Sequence, residues 1–181
     1  FLTGVVGDWK PAAVTIEKAD FLLKAGGRQS EMEAAFSGVL ESLEGSSLDR
    51  IKIADLSCEW GYSKLTFGGV YNTRFEASLK DGRWKVLLNG GFLRQNWIGP
   101  LEIEQGVLSI GQSGVEVESL VLKSGEGRLD LEGMVRGPLE MPEFDLKGRF
   151  TGFPVEKMFE IDQVQENRFI EGTVSGDLVI N

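Results

Sequence analysis

A seven-residue phrase occurs three times in the last third of the chain and constrains its fold more than any other feature. Each copy reads apolar, any, Gly, any, apolar, any, Gly, and the copies occupy residues 131–137, 146–152 and 170–176. Because side chains alternate between the two faces of a β-strand, this period of two puts the apolar residues and the glycines on one face. Glycine weakens a strand unless the sheet bends or something approaches closely there. The phrase therefore predicts a strongly curved sheet that surrounds an apolar interior.

The alternation of apolar and polar residues continues through most of the chain from residue 50 onward. Asp81-Gly82 separates two alternating runs, and this pair favours a two-residue hairpin turn because both positions of a type I′ turn need positive φ. The phase of the alternation changes near Ala54 and Asp55, which indicates a bulge or kink, and again near Ser119. The pattern predicts about ten or eleven strands in an extended, mostly antiparallel meander.

One stretch has helical spacing instead. Apolar residues recur every three or four positions between Met32 and Leu43, so they share one face of a helix. Ser30, with Glu33 three residues later, forms a capping-box signal for the start of that helix. These features predict an amphipathic helix over residues 31–44.

The chain is interpreted as a single domain, or as a fragment of a larger protein, in two parts. Residues 1–49 contain the helix, preceded by one or two strands at 12–25, and residues 50–181 form the β-meander. A second, shorter helical turn is predicted near 154–160, where Pro154 suits a first helical position.

The predicted sheet is too wide for the predicted helix to cover. A sheet of about ten strands at about 4.8 Å spacing is nearly 50 Å wide, whereas a helix of about 14 residues is only about 21 Å long. The apolar face either closes on itself as a sandwich or barrel with a dry core, or stays open to a ligand or a neighbouring module. Glycines on this face favour the open form because they leave room there, although glycines that only mark bends remain the alternative. These groove glycines are Gly133, Gly148, Gly172 and Gly176.

Composition narrows the range of partners. The net charge of −9 and the pI near 4.7 argue against nucleic-acid binding, which depends on neutralising phosphates. No window approaches about 18 consecutive apolar residues, so no membrane span is predicted within these residues. Cys58, the one cysteine, has an apolar residue two positions away on either side, and we expect a buried thiol rather than a nucleophile.

A catalytic constellation is not apparent. The chain has no histidine, which removes the commonest general base and most metal sites. Glu102 with Glu104, and Glu116 with Glu118, are same-face pairs at strand spacing, but no third ligand cluster follows to complete a Ca²⁺ site. Neither a phosphate-binding loop nor a dinucleotide fingerprint is present. We therefore predict no enzymatic activity, no metal and no cofactor.

Three runs of the sequence resemble the ending of AsmA-like domains. They are residues 127–138, 153–159 and 169–178, and the strand at 84–86 fits the same pattern. The resemblance extends over roughly residues 50–181 and rests on strand pattern rather than on a catalytic motif. The family includes the TamB-like and YhdP-like proteins of the Gram-negative envelope.

This resemblance implies a long, twisted, open β-sheet with an apolar groove along its inside. Members of the family are typically periplasmic, anchored by an N-terminal inner-membrane helix, and proposed to conduct phospholipid to the outer membrane. The chain would then be a segment of such a groove that holds phospholipid or another acyl-chain lipid, with any anchor outside these residues and other envelope proteins as further partners. The residues expected to line the groove are Trp84, Val86, Leu88, Leu129, Leu131, Val135, Phe144, Leu146, Phe150, Ile170, Val174 and Leu178.

Two other functions remain open. Sheet edges can accept a strand of another protein, which is typical of an adaptor in the assembly of outer-membrane or secretion proteins. A closed β-sandwich with a purely structural role is the other alternative. Lipid that copurifies with the protein would distinguish the groove from both.

Overall fold

The computed structural model describes residues 13–24, 48–63, 66–95, 98–111, 114–136, 143–155 and 172–180. Within these residues the chain is almost entirely β-strand, which confirms the predicted mainly β fold class. The strands are β1 (Ala13–Lys24), β2 (Arg50–Ser63), β3 (Thr66–Lys80), β4 (Arg83–Asn89), β5 (Phe92–Gln95), β6 (Ile98–Gly111), β7 (Gly114–Ser124), β8 (Gly127–Arg136), β9 (Glu143–Pro154) and β10 (Thr173–Ile180).

These strands form one mixed sheet in the order β1-β2-β3-β4-β6-β7-β8-β9-β10, with β5 paired to both β3 and β6. Every pair is antiparallel except β1–β2, which is parallel. The predicted antiparallel pairing is therefore confirmed for the strands from residue 50 onward, and β1 makes the sheet a mixed one. Side chains alternate in both kinds of pairing, and the pattern therefore does not distinguish them. A parallel neighbour needs a long connection, and residues 25–49 separate β1 from β2.

The turn between β3 and β4 has the predicted geometry. Asp81 and Gly82 have φ of +52° and +74°, and they connect the paired residues Lys80 and Arg83. Positive φ at both central positions is the requirement of a type I′ turn, which matches the twist of the two strands it joins. The hairpin prediction is confirmed.

Two irregularities in strand register lie where the alternation changes phase. The pairing of β2 with β3 shifts between Ile53 and Leu56, and both residues are buried although they are three positions apart. The pairing of β7 with β8 shifts between Val117 and Leu120. An extra residue at each place keeps the apolar residues on the same face, which confirms both predicted phase changes.

Most of the predicted helical residues cannot be compared with the structure. The helix at 31–44 lies outside the described residues. Of the turn near 154–160, Pro154 is the last residue of β9, and Val155 is the only further residue described. The backbone N–H of Val155 donates to the carbonyl of Gly172, 3.0 Å away, and so ties the end of β9 to the start of β10. Across the described ranges, no helix has the length and apolar character to cross a membrane.

The hydrophobic core is arranged in two clusters. The larger includes Ile103 and Phe153, each 1% exposed, and the smaller includes Trp84 and Val86. Leu88 packs against both clusters and connects them. The core therefore extends across the sheet.

Candidate functional site

One face of the sheet is apolar from its first strand to its last. Residues that pair across neighbouring strands point to the same side of a sheet, so the strand register identifies the side chains that share a face. Two rows of such residues cross all nine strands of the main path without a polar residue, and the surface they belong to is named the apolar face. The first row is Val14, Ile51, Ala77, Val86, Leu108, Val117, Gly133, Leu146 and Ile180; the second is Ile16, Ile53, Phe75, Leu88, Gly106, Leu120, Leu131, Gly148 and Leu178.

The predicted groove residues that the structure describes lie on this face. A third, shorter row contains Trp84, Val135 and Phe144. Leu129 and Phe150 pair with each other and belong to the same face. The predicted residues that belong to the two long rows are Val86, Leu88, Leu131, Leu146 and Leu178.

Val174, the remaining predicted groove residue that the structure describes, packs against the larger core cluster. It pairs with Phe153, whose ring packs edge-on against that of Phe150 with 5.5 Å between centroids. These two rings are three positions apart on one strand, and Gly152, with φ of +56°, lies at the irregularity between them. Ile170 lies outside the described residues.

Burial on the apolar face is highest in the middle of the sheet and falls towards both edges. In the first row Val86 is 3% exposed and Ile180 is 40% exposed; in the third row Trp84 is 6% exposed and Phe144 is 42% exposed. Phe21 on β1 is 51% exposed at the opposite edge. The part of the face on β9 and β10 is named the open end. It consists of Phe144, Leu146, Gly176, Leu178 and Ile180.

Two of the predicted groove glycines serve close packing. At Gly148 the place of a side chain is taken by Leu131, whose Cδ2 lies 2.7 Å from where a Cβ would be. At Gly133 φ is +139°, and a Cβ would meet the backbone carbonyl of Asp145 on β9. The prediction that these two glycines leave room for a ligand is wrong, because neighbouring protein atoms occupy that room.

The other two groove glycines have open space. Among the residues that the structure describes, nothing lies within 4 Å of a Cβ placed on Gly172 or on Gly176. Gly172 precedes β10 and belongs to neither row, whereas Gly176 pairs with Phe150 on the apolar face. Gly176 is thus the groove glycine that leaves a gap on this face.

The predicted set omitted the part of the face that comes from β2, β3, β6 and β7. The same period-two alternation marks these strands as clearly as it marks the glycine-containing phrases, so the signal was available in the sequence. The most buried of the omitted residues on these four strands are Ile53, Ala77, Leu101, Ile103 and Leu122.

The opposite face of the sheet is polar and carries ion pairs between strands. Lys85 Nζ and Ser109 Oγ each lie 3.0 Å from a carboxylate oxygen of Glu118, and these hydrogen bonds hold the pKa of Glu118 below its ordinary value. The guanidinium of Arg128 bonds to Asp130 at 2.8 Å, and this bond raises the pKa of Arg128. Exposed pairs of this kind contribute at most about 1 kcal/mol each. The polar face is a solvated surface.

Three of the four carboxylates considered as metal or catalytic sites, Glu104, Glu116 and Glu118, belong to this ion-pair pattern. Glu104 lies 3.0 Å from Lys123, and Glu116 lies 3.1 Å from Arg83, so both have cations as partners. Across the residues that the structure describes, no group of three or more acidic or cysteine side chains is arranged to hold a metal ion.

Cys58 and Trp84 each place a polar group among apolar residues. Cys58 pairs in register with Val70 and is half-buried, and burial raises the pKa of its thiol. The indole N–H of Trp84 is buried and has no acceptor within the described part of the chain. A buried donor without a partner costs about 1–3 kcal/mol, so an oxygen atom placed beside Trp84 would be favourable.

Comparison of the chain with models of protein families, with curated proteins and with solved structures gave no match in any of the three. The apolar face is therefore the basis for a proposal about function.

Proposed function

We propose that this chain binds acyl-chain lipids on its apolar face, as a segment of an AsmA-like lipid-transfer protein of the Gram-negative envelope. The observation that carries the proposal is the pair of apolar rows that cross nine strands at right angles to the strand direction. At about 4.8 Å per strand, eight intervals give a track about 38 Å long. Such a track would offer an acyl chain apolar contact wherever its side chains reach the surface, as Ile180 does at the open end.

The expected free energy of acyl-chain binding is suited to reversible binding. Each CH₂ group removed from water is worth about 0.8 kcal/mol, so a tail of about 16 carbons gains roughly 12 kcal/mol when fully enclosed. Because the track is open at its edges, a tail bound there keeps part of its surface in water and gains less. Partial enclosure favours movement along the track over permanent capture.

The open end supplies a place of entry. Phe144 and Ile180 are 42% and 40% exposed, and Gly176 lies further along β10 on the same face. A tail that first contacts this region would bury apolar surface before it displaced any core side chain. Further along, the buried N–H of Trp84, which has no acceptor among the described residues, would donate a hydrogen bond to an ester or carboxylate oxygen.

The cellular setting follows from the resemblance. An AsmA-like segment would lie in the periplasm as part of a protein anchored in the inner membrane, and the lipid would be phospholipid on its way to the outer membrane. The polar face, with its exposed ion pairs, would be directed to water.

Uptake of an environment-sensitive fluorescent fatty acid tests the proposal. Phe144→Glu places a carboxylate at the open end, and Leu87→Glu is the matched control because Leu87 is 40% exposed on the polar face. A charge in apolar contact is costly, so we expect Phe144→Glu to weaken probe binding by about tenfold or more, corresponding to about 1.4 kcal/mol. Leu87→Glu should leave binding unchanged.

Native mass spectrometry of protein purified from bacterial envelopes provides a second measurement, in which we expect copurifying phospholipid. Protein that is free of lipid and takes up no probe would contradict the proposal. Equal loss of binding in Phe144→Glu and Leu87→Glu would place the probe elsewhere than the apolar face.

A further inference from the structure

The indole N–H of Trp84 is a buried donor that its surroundings leave without an acceptor. Among the described residues, the buried side-chain atoms that lack a hydrogen-bond partner are Asp55 Oδ1, Arg83 Nε and Trp84 Nε1. Asp55 and Arg83 form ion pairs through their other atoms, with Lys18 and Glu116. The indole nitrogen is the only polar atom of the Trp84 side chain, and it can only donate. Trp84 is thus the member of this group whose side chain has no polar contact within the described part of the chain.

A water molecule suits this donor poorly. Trp84 is 6% exposed and forms the smaller core cluster with Ala77 and Val86. The partly buried side chains packed against that cluster are apolar as well, namely Ile51, Phe75, Leu88, Leu108 and Ile110. A buried water typically makes about three hydrogen bonds, and these side chains offer it none. An oxygen atom carried into the site on an apolar chain meets the donor without needing further partners.

The third row of the apolar face leads from Trp84 to the open end. Its members in register are Leu79, Trp84, Ile110, Val115, Val135 and Phe144. Exposure rises from 6% at Trp84, through half-buried side chains, to 42% at Phe144. The strand intervals from β4 to β9 give a path of about 19 Å. An acyl tail placed along this row has one end at the donor and the other at the open end.

Leu79 lies at the water-facing side of Trp84. It pairs directly with Trp84 across the strands and is 41% exposed. Asp81 and Gly82, which form the adjoining turn, are exposed as well. Exposed side chains change rotamer within nanoseconds, so displacement of Leu79 would open a way to the indole. A polar group attached beyond the bound oxygen would then lie in water next to the turn.

We propose that Trp84 determines the ligand class of the lipid site by donating its indole N–H to the ester carbonyl oxygen of a bound acyl lipid. The tail lies along the third row towards Phe144, and the headgroup emerges past Leu79. The inference rests on the proposed lipid binding and narrows it to esterified lipids.

The charge pattern favours an ester over a free carboxylate. Every member of the three apolar rows is uncharged. Arg83 and Lys85, the cations on either side of Trp84 in the sequence, pair with Glu116 and Glu118 on the opposite face. A carboxylate buried beside Trp84 would lack a counter-ion there, which is costly, whereas an ester carbonyl accepts the hydrogen bond without a charge. A free fatty acid should therefore keep its carboxylate in water and leave the indole N–H unpaired.

Three lipids with the same saturated chain test the inference on the intact protein. They are palmitoyl lysophosphatidylethanolamine, its hexadecyl ether analogue and palmitate. The ether lacks the carbonyl oxygen and otherwise matches the ester. Affinity is measured by displacement of the fluorescent fatty acid. We expect the ester to bind about fivefold more tightly than the ether, because one hydrogen bond distinguishes them.

Matched variants assign that difference to one residue. Trp84→Phe removes the N–H and keeps an aromatic ring, and Trp60→Phe makes the same change near the other end of β2. In Trp84→Phe the affinity for the ester should fall about fivefold, to that for the ether, while the ether and palmitate bind nearly as before. Trp60→Phe should preserve the difference. Circular dichroism checks that both variants fold.

NMR of the indole N–H groups provides a readout in the parent protein itself. Isotope-labelled tryptophan makes these signals visible, and the signal of Trp84 is identified by its loss in Trp84→Phe. A hydrogen bond to a carbonyl oxygen moves an N–H signal downfield. We expect the ester to move the Trp84 signal, and the ether and palmitate to leave it near its position in the free protein. The signal of Trp60 is the internal control.

The outcomes separate this inference from lipid binding as such. Equal affinities for ester and ether in the parent, or an unchanged difference in Trp84→Phe, would overturn the inference and leave lipid binding standing. A Trp84 signal that palmitate moves as far as the ester does would assign the site to a free carboxylate and overturn the ester assignment. If neither the fluorescent fatty acid nor any of the three lipids binds, the proposed function fails and this inference fails with it.

Discussion

The middle and the open end of the apolar face have the same alternating pattern but different surroundings. In the middle, Ile103 and Leu122 are 1% exposed and belong to a packed cluster. At the open end, Phe144 and Ile180 keep about two-fifths of their surface in water, with values of 42% and 40%. Period-two alternation therefore produces a core where neighbouring side chains surround a residue, and an accessible surface where the sheet ends. Position across the sheet separates a structural residue from a candidate binding residue.

Truncation of one leucine or isoleucine from each region gives the largest expected difference. Leu122→Ala should lower the free energy of unfolding by about 2–5 kcal/mol, because it leaves a cavity among buried side chains. Ile180→Ala should lower it by less than about 1 kcal/mol, since much of that side chain is already in water. Urea unfolding followed by circular dichroism measures both, and equal losses would show that the open end is part of the core.

A pair of glycine substitutions should give a smaller difference in the same direction. Gly133→Ala forces a side chain into positive φ and against the carbonyl of Asp145, and we expect a loss of about 1–3 kcal/mol in unfolding free energy. Gly176→Ala has open space and should change the stability by less than about 1 kcal/mol.

The same two variants also distinguish a glycine that is needed for packing from a glycine that leaves space for a ligand. Gly176→Ala fills part of the gap at the open end, so it should alter fatty-acid probe binding more than it alters stability. A folded, stable Gly133→Ala protein would contradict the packing role assigned to that glycine.

The ion pairs of the polar face should give the smallest effect. The pKa of Glu118 is lowered from the ordinary value of 4.5, mainly by its hydrogen bond from Lys85. A lowered pKa in the folded state means that Glu118 stabilises the fold above that ordinary value and loses this contribution as the pH falls through the lowered pKa. Glu118→Gln should thus be slightly less stable than the parent at neutral pH, and the difference should shrink in acid.

Asp177→Asn is the matched change at the C-terminal edge. The ion pair there is more exposed, with 72% and 70% of the Arg149 and Asp177 side chains in water, so its loss should matter even less. Thermal unfolding of both variants at neutral and acidic pH makes the comparison. A larger effect for Asp177→Asn than for Glu118→Gln would be contrary to expectation.

Much of the fold was accessible from the sequence because the decisive interactions are local. The turn at Asp81 and Gly82 follows from the backbone preference of two adjacent residues, and the bulge between Ile53 and Leu56 follows from a phase change within one strand. The shared face of the predicted groove residues follows from alternation alone. None of these features needed knowledge of which strands are neighbours.

Features that depend on which strands lie next to each other in the sheet were not predicted from the sequence. The parallel pairing of β1 with β2 has the same alternation as an antiparallel pair, so no residue on either strand signals it. The preference for glycine at position 148 is explained only by the structure, in which the side chain of Leu131 on β8 lies over it. In both cases the physical cause is a contact between segments far apart in the sequence.

The sequence alone determined that this protein has one apolar and one polar sheet face, since alternation fixes the direction of each side chain relative to its strand. Only the tertiary structure decided where the apolar face is buried and where it stays open. Those properties depend on strand order and register, because accessibility is set by the atoms that neighbouring strands bring beside each residue.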